Sequence, residues 1–483
     1  MSNAPATANT GFKQTLGLFD GTMIVAGSMI GSGIFIVSAD IMRNVGSPGW
    51  LIIVWLITGF MTITAALSYG ELSGMFPRAG GQYVYLKEAY NPLIGFLYGW
   101  SFFAVIQTAT IAAVGVAFSK FLAYLVPELG NEYFLFNVGS LKIFSGQLVA
   151  IVIIVLLTYV NTRGVKEGKM IQRVFTSAKL LALFGLIVFG FILVKNSFWA
   201  ENWAGGGFDA AQSAKDADDK WITGSSFSAI GTGALIGAIA VSMTGSVFSS
   251  DAWNNVTFIA GEMKNPKRNI GLSLFLGTLI VTIIYVMANL MYVNVLPLKE
   301  IAYAPSDRVA VAAANNIFPS FGTTMIALLI MVSTFGCNNG LILAGARVYN
   351  TMARDGLFFK RAGNLNKNNV PEFALWIQCI VCCAWCLSGK YGELLDMISF
   401  VVVVFYILTI AGLFILRKKR PDAERPYRAF GYPVLPILYI LMGLAFCILL
   451  IQHRPKFVWP GLIVVALGFP LYFLGSKQKQ DTA

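Results

Sequence analysis

The sequence predicts an all-α integral membrane protein of twelve transmembrane helices, and two observations lead there. Of its 483 residues only 12% are charged and 57% are apolar, with a mean hydropathy of +0.70, whereas soluble chains run about 25% charged. Continuous apolar segments also recur along the whole length, each long enough for the roughly 20 residues a helix needs to cross the hydrocarbon core. These segments are uniformly apolar and not alternating, which excludes a β-barrel. A soluble multidomain enzyme is excluded as well. The 48 glycines suit close helix packing in lipid.

In chain order, spans are predicted at 20–42, 49–75, 93–125, 147–165 and 170–194, preceded by a tail at 1–19. A polar loop at 195–225 follows, then spans at 226–258, 270–296, 321–350, 373–387 and 394–416. Two more at 434–452 and 457–474, within 417–476, precede a short tail at 477–483. The bias of Lys and Arg in short loops sets orientation. With both termini cytoplasmic, inside segments such as those with Arg163, Lys166, Lys169 and Arg173, or Arg417 to Arg420, hold about twice the Lys and Arg of outside segments. The net charge of +12 is therefore a topology signal, and no nucleic acid partner is expected. The first twenty residues lack the apolar core of a cleavable signal peptide. All six cysteines fall inside apolar segments. Cys379, Cys382, Cys383 and Cys386 have a metal-like spacing, but without histidine or an aqueous approach they read as small packing residues. No metal and no cofactor is expected.

Two spans contain interruptions. In the first, Gly31-Ser32-Gly33 follows Gly27-Ser28 at mid-membrane depth. Irregular backbone at that depth survives only where it lines a cavity or is buried in protein, and a half-helix starting near Ile34 would offer amide donors to a carboxylate. The alternative is a glycine-lined helix contact. In the sixth span, Gly231, Gly233, Gly237 and Gly245 are followed by the polar run Ser249-Ser250-Asp251-Ala252-Trp253-Asn254. A five-plus-five inverted repeat, with halves at 20–194 and 226–416, would bring these two discontinuities together, which is the binding-site arrangement of a secondary transporter. Lys179 is the only Lys or Arg well inside a predicted core. At about 13 Å into its span, given 1.5 Å per residue, it either faces the bundle or snorkels to the interface.

Several fragments in order carry a resemblance: Gly31 to Phe35; Tyr69-Gly70-Glu71-Leu72 with Pro77 to Tyr83; Trp253-Asn254 with Gly261 to Pro266; Ala346 to Tyr349 with Arg354-Asp355-Gly356; and Arg425-Pro426-Tyr427. Over nearly its full length the chain resembles the amino acid-polyamine-organocation superfamily, most closely its L-type amino acid transporter branch and bacterial relatives. The resemblance implies the five-plus-five fold with two extra helices, alternating access, and an L-amino acid held between the first and sixth helices. By family pattern the amides of Ser32 and Gly33 hold the α-carboxylate with Gly31 giving close approach. Carbonyls near Ile30 and Phe248 receive the α-amine, and Phe248 also covers the substrate from outside. Ser249, Asp251, Trp253 and Asn254 complete the expected site. Asp251 departs from the glycine usual in the branch. It can receive a cationic side chain, carry a proton, or bond to backbone.

In sodium-independent members a lysine in the fifth helix fills the sodium place, and Lys179 matches it, with Ser333 and Thr334 as expected eighth-helix neighbours. Exchange and proton symport both remain open. Glu71 and Glu262 are expected to bond loops and basic residues such as Arg78 or Arg347 and help close the inner gate. Neutral L-amino acids are the first expectation; cationic amino acids or polyamines are the alternative. An integral-membrane enzyme lacks a clustered catalytic arrangement, and a channel would want a filter or repeated polar faces. The loop at 127–133 lacks the cysteine that links animal L-type members to a glycoprotein. The resemblance thus implies a stand-alone carrier in a bacterial cytoplasmic membrane.

Overall fold

In the computed structural model, residues 14–130, 133–139, 141–217, 221–318, 321–388 and 391–480 are described, apart from the side chains of 138, 141, 165–174, 321, 391, 393 and 475–480. The tail 1–13, the side chains of Lys166, Lys169 and Arg173, and Asn131 and Glu132 of the 127–133 loop lie outside that set.

The helices run α1 (Leu18–Met29), α2 (Gly33–Val45), α3 (Pro48–Met75), α4 (Gln82–Ala89), α5 (Pro92–Leu125), α6 (Ser145–Arg163), α7 (Val165–Ile192), α8 (Thr232–Ser249), α9 (Pro266–Val295), α10 (Phe321–Arg354), α11 (Glu372–Ser388), α12 (Tyr391–Lys419), α13 (Val434–His453) and α14 (Pro455–Gln480). Prolines open α3, α5 and α9, where a missing N–H costs nothing, and Asn91 caps α5 by accepting from the amide of Ile94 at 3.0 Å. Among the described residues, ten helices are long and apolar enough to cross a membrane, or eleven when α1 and α2 count as one span bent by 43°. The expected count of twelve would need α11, whose 17 residues make it a shorter apolar helix.

Two expectations change. The sixth span begins at Thr232 and not at 226, because Ser228–Ala229 pairs as a strand with Ala211–Gln212 in the preceding loop. That span also does not run on to 258: beyond its break stand only a short turn Asn255–Phe258 and a 3-10 turn Ala260–Glu262. A second ladder joins Phe134–Val138 to Leu141–Phe144. Spans five apart in order pack together: α2 on α8, α3 on α9, α5 on α10, and α6 on α11. A π-helical turn at Phe102–Ile106 interrupts α5, a feature common near functional sites.

Candidate substrate site and gates

The first span breaks over Ile30, Gly31 and Ser32, and its last carbonyls lose their helical partners, as any helix end does. Their accounting is complete. Lys179 on α7 donates its ammonium to the carbonyls of Gly27 and, at 2.7 Å, Ile30. The Cys337 thiol on α10 lies 3.4 Å from the Ser28 carbonyl. The Tyr285 hydroxyl on α9 stands 2.9 Å from the carbonyls of Met29 and of Ser249, so one group spans both breaks. Lys179 is only 1% exposed; it faces the bundle and does not snorkel. Its cation sits at the negative end of the α1 dipole, a favourable place.

The sixth span breaks after Ser249, and Ala252 takes a left-handed φ of 61°, a conformation costing a non-glycine residue about 1 kcal/mol. The two discontinuities touch. A Cβ on Gly33 would lie 1.9 Å from Ser249 Oγ, and one on Gly245 would lie 2.9 Å from Val37 Cβ. Gly33 opens α2, so its amide is among the donors of a new helix N-terminus aimed at the break. Phe248 is buried in the last turn of α8.

Trp253 and Asn254 turn elsewhere. The indole stacks edge-on against Tyr69 at 4.7 Å and tilts over Tyr406. The Asn254 amide donates to Gln82 at 3.0 Å, and Gln82 donates to Thr409 at 3.0 Å. The Asp251 carboxylate accepts from the Tyr406 hydroxyl on α12 at 2.5 Å and from the backbone amide of Ala252. Ser333 shares a cavity of about 10 Å³ with Lys179 and Phe35, and its hydroxyl is buried without a partner among the described residues. The Thr334 hydroxyl bonds back to Ile330 and Met331 of its own helix, and Cys337 of α10 reaches the break.

Sequence reasoning missed the brace on α9. Tyr285, Asn289 and Tyr292 lie on one helix face; Asn289 accepts from Ser38 at 2.7 Å, and Tyr292 donates to the Ile34 carbonyl at 3.3 Å. Polar residues at i, i+4 and i+7 in an apolar span were the available signal.

The two ends of the molecule differ. At one end a vestibule of about 890 Å³ is lined by Asp40, Arg43, Lys120, Asp307, Asp396 and Arg454 among others. Asp307, in the turn Pro305–Asp307, faces Arg43 at 2.8 Å and Lys120 at 3.7 Å. Burial disfavours its charge, but the two cations outweigh burial and hold the carboxyl below the usual range. The other end is sealed by ion pairs. Glu262 accepts from Arg347 at 2.7 Å with both side chains nearly buried. Asp355 accepts from Tyr83 and Lys87 at 2.7 Å, and residues 15 and 16 bond the Glu262 carbonyl as a short parallel bridge to Met263. Glu71 bonds basic residues and a loop amide, though not the arginines named from the sequence: it takes Arg417 at 2.6 Å, Arg425 at 3.2 Å and the amide of Ala429 at 2.7 Å.

A polytopic helical protein whose first and sixth spans both break midway, in contact with each other, is a membrane carrier and not an enzyme. The chain belongs to the amino acid permease family, whose family model matches residues 16–472. It is similar to the large neutral amino acids transporter small subunit 2 of Homo sapiens, 29% identical over 96% of this chain and 80% of that one. It is also similar to the b(0,+)-type amino acid transporter 1 of Homo sapiens, 28% identical over 98% and 90%, and to the Asc-type amino acid transporter 1 of Mus musculus, 27% identical over 97% and 82%.

Proposed function

We propose that the chain exchanges neutral L-amino acids across a bacterial cytoplasmic membrane by alternating access, without sodium and without a disulfide-linked partner. The observation that carries this is the junction of the two breaks, where Lys179 and Tyr285 hold the carbonyls of α1 while the α2 amides stay directed at the gap. The α-carboxylate lies on the amides of Ser32 and Gly33 and the α-amine on carbonyls near Ile30 and Phe248. The fixed ammonium of Lys179 supplies the positive charge that a metal cation would otherwise bring to these carbonyls. The name of the first relative, a transporter of large neutral amino acids, supports the neutral class.

The pairing of spans five apart supports a five-plus-five repeat over 20–194 and 226–416, with α13 and α14 added. The vestibule end is the outside and the sealed end the cytoplasm, which also holds both termini; the chain is then facing outward. Phe248 closes over the substrate, and Glu71 and Glu262 latch the inner side. In proteoliposomes loaded with unlabelled amino acid, uptake of labelled neutral L-amino acids should saturate, accelerate with internal substrate and stay equal when choline replaces sodium. Uptake that demands sodium, or that ignores internal substrate, overturns the reading.

The latch has its own test. Arg347→Ala leaves a buried carboxylate unpaired, a loss of about 3–5 kcal/mol. The sealed end should open, and a cysteine placed at Met263 should react with a membrane-impermeant maleimide applied from the cytoplasmic side at least tenfold faster than in the otherwise unchanged protein. Equal labelling rates would remove Glu262 and Arg347 from the gate.

A further inference from the structure

Beside the break of the sixth span lies a cavity of about 20 Å³ that holding the α-carboxylate and α-amine does not use. Asp251 and Asn255 line it on one side, and Tyr98, Phe102 and Gln107 of α5 with Tyr406 of α12 line the other. Most of its polar lining is already paired. Asn254 donates to Gln82 at 3.0 Å, Gln107 to the Leu341 carbonyl at 2.6 Å, and Thr110 to the Ile106 carbonyl at 2.6 Å. Asn255 differs: the residue is 2% exposed, and its Nδ2 is buried without a partner among the described residues. A buried donor left unmade is costly, so the cavity calls for a guest that carries an acceptor atom.

The same cavity offers that guest an acceptor. The Asp251 carboxylate takes the Tyr406 hydroxyl at 2.5 Å and the Ala252 amide, and a carboxylate has about four acceptor sites. An amide donor and a carboxylate that share a cavity without bonding each other suit a group that both accepts and donates, which is a hydroxyl. Size narrows the choice further. One water needs roughly 10–15 Å³ in this measure, so about 20 Å³ admits a hydroxymethyl or hydroxyethyl group and excludes an isobutyl or benzyl group. The walls are braced by other rings: Tyr98 stands 5.5 Å from Phe102 and 5.4 Å from Phe405, and Phe102 stands 5.3 Å from Phe258. The cavity is also within reach of the junction. Asp251 is two residues beyond Ser249, at most about 7 Å of chain, and Ser249 is the residue against which Gly33 packs.

We propose that this cavity receives the substrate side chain and selects L-amino acids with a small hydroxyl, serine and threonine, within the neutral class. Asn255 Nδ2 donates to the hydroxyl oxygen, and the hydroxyl donates to Asp251. Asn255 is thus the specificity-determining residue. The inference rests on the reading of the chain as a carrier of neutral L-amino acids, and the test separates the two. Serine and L-2-aminobutyrate have side chains of nearly equal size and differ by a hydroxyl against a methyl; threonine and valine differ in the same way. In purified protein, thermal-shift titrations should give serine an affinity at least tenfold above that of 2-aminobutyrate, and threonine the same advantage over valine. Leucine and phenylalanine should bind more weakly still.

No stabilisation by any amino acid would sink the carrier reading. Binding in which each hydroxyl amino acid merely equals its methyl counterpart would sink only the present proposal, and would leave the cavity to water. Tightest binding by leucine or phenylalanine would place the side chain elsewhere and overturn it too. Asn255→Leu keeps the bulk and removes the donor, so the serine advantage over 2-aminobutyrate should fall to within about twofold. An undiminished advantage in the folded variant overturns the assignment to Asn255. Should the variant fail to fold, the two substrate pairs on the unaltered protein still decide whether the cavity reads a hydroxyl.

Discussion

Gly33→Val is expected to lower amino acid exchange at least a hundredfold without unfolding the protein. The Cβ alone would sit 1.9 Å from Ser249 Oγ, 2.6 Å from its Cβ and 3.0 Å from its Cα. Rotating Ser249 removes only the first clash and breaks the bond of its hydroxyl to the Gly245 carbonyl at 2.7 Å. The remaining overlaps involve Cβ and backbone, so α2 and α8 must part by about 1 Å, and a displacement of that size at a positioned site costs on the order of a hundredfold in rate. The packing around the junction is otherwise intact, and the loss should appear in exchange long before it appears in melting temperature. Gly233→Ala is the control: nothing lies within 4 Å of a Cβ there, and exchange should equal that of the unaltered protein. If Gly33→Val exchanges normally, close approach of the two breaks is not what binds substrate.

Much of the membrane architecture was legible because hydropathy and proline act locally. The second span, read at 49–75, is Pro48–Met75 in the structure, since Pro48 fixes the start. The start of the sixth span was misplaced because Ser228 and Ala229 are drawn into a ladder with residues 211 and 212, a pairing no local pattern announces. Glu71 was expected to bond loops and basic residues, but Arg417 lies 346 positions away in sequence, and an acidic residue does not name its distant partner. The α10 residues show what helical period adds. Ser333 and Cys337 are four apart and share a helix face, whereas Thr334 is turned by about 100° from Ser333; helical period alone would have chosen Cys337 over Thr334. Trp253 and Asn254 were located correctly as sequence neighbours of the break, but the left-handed turn at Ala252 sends their side chains toward Tyr69 and Gln82.

Lys179→Ala should reduce exchange by about thirtyfold or more and lower the melting temperature. The ammonium satisfies the carbonyls of Gly27 and Ile30 at once. Hydrogen bonds to a charged group contribute about 1.5–3 kcal/mol each, and a buried acceptor left unmade costs a similar amount. Even a net loss of about 2 kcal/mol corresponds to about thirtyfold in the population of the ordered break. Alanine also merges the vacated volume with the cavity beside Ser333, so the end of α1 loses both its charge and its lateral support. Lys179→Met distinguishes these contributions, because it keeps most of the bulk and removes the cation. If the charge holds the carbonyls, methionine should be nearly as defective as alanine in exchange while recovering much of the melting temperature; exchange restored by methionine would mean that volume alone positions the break.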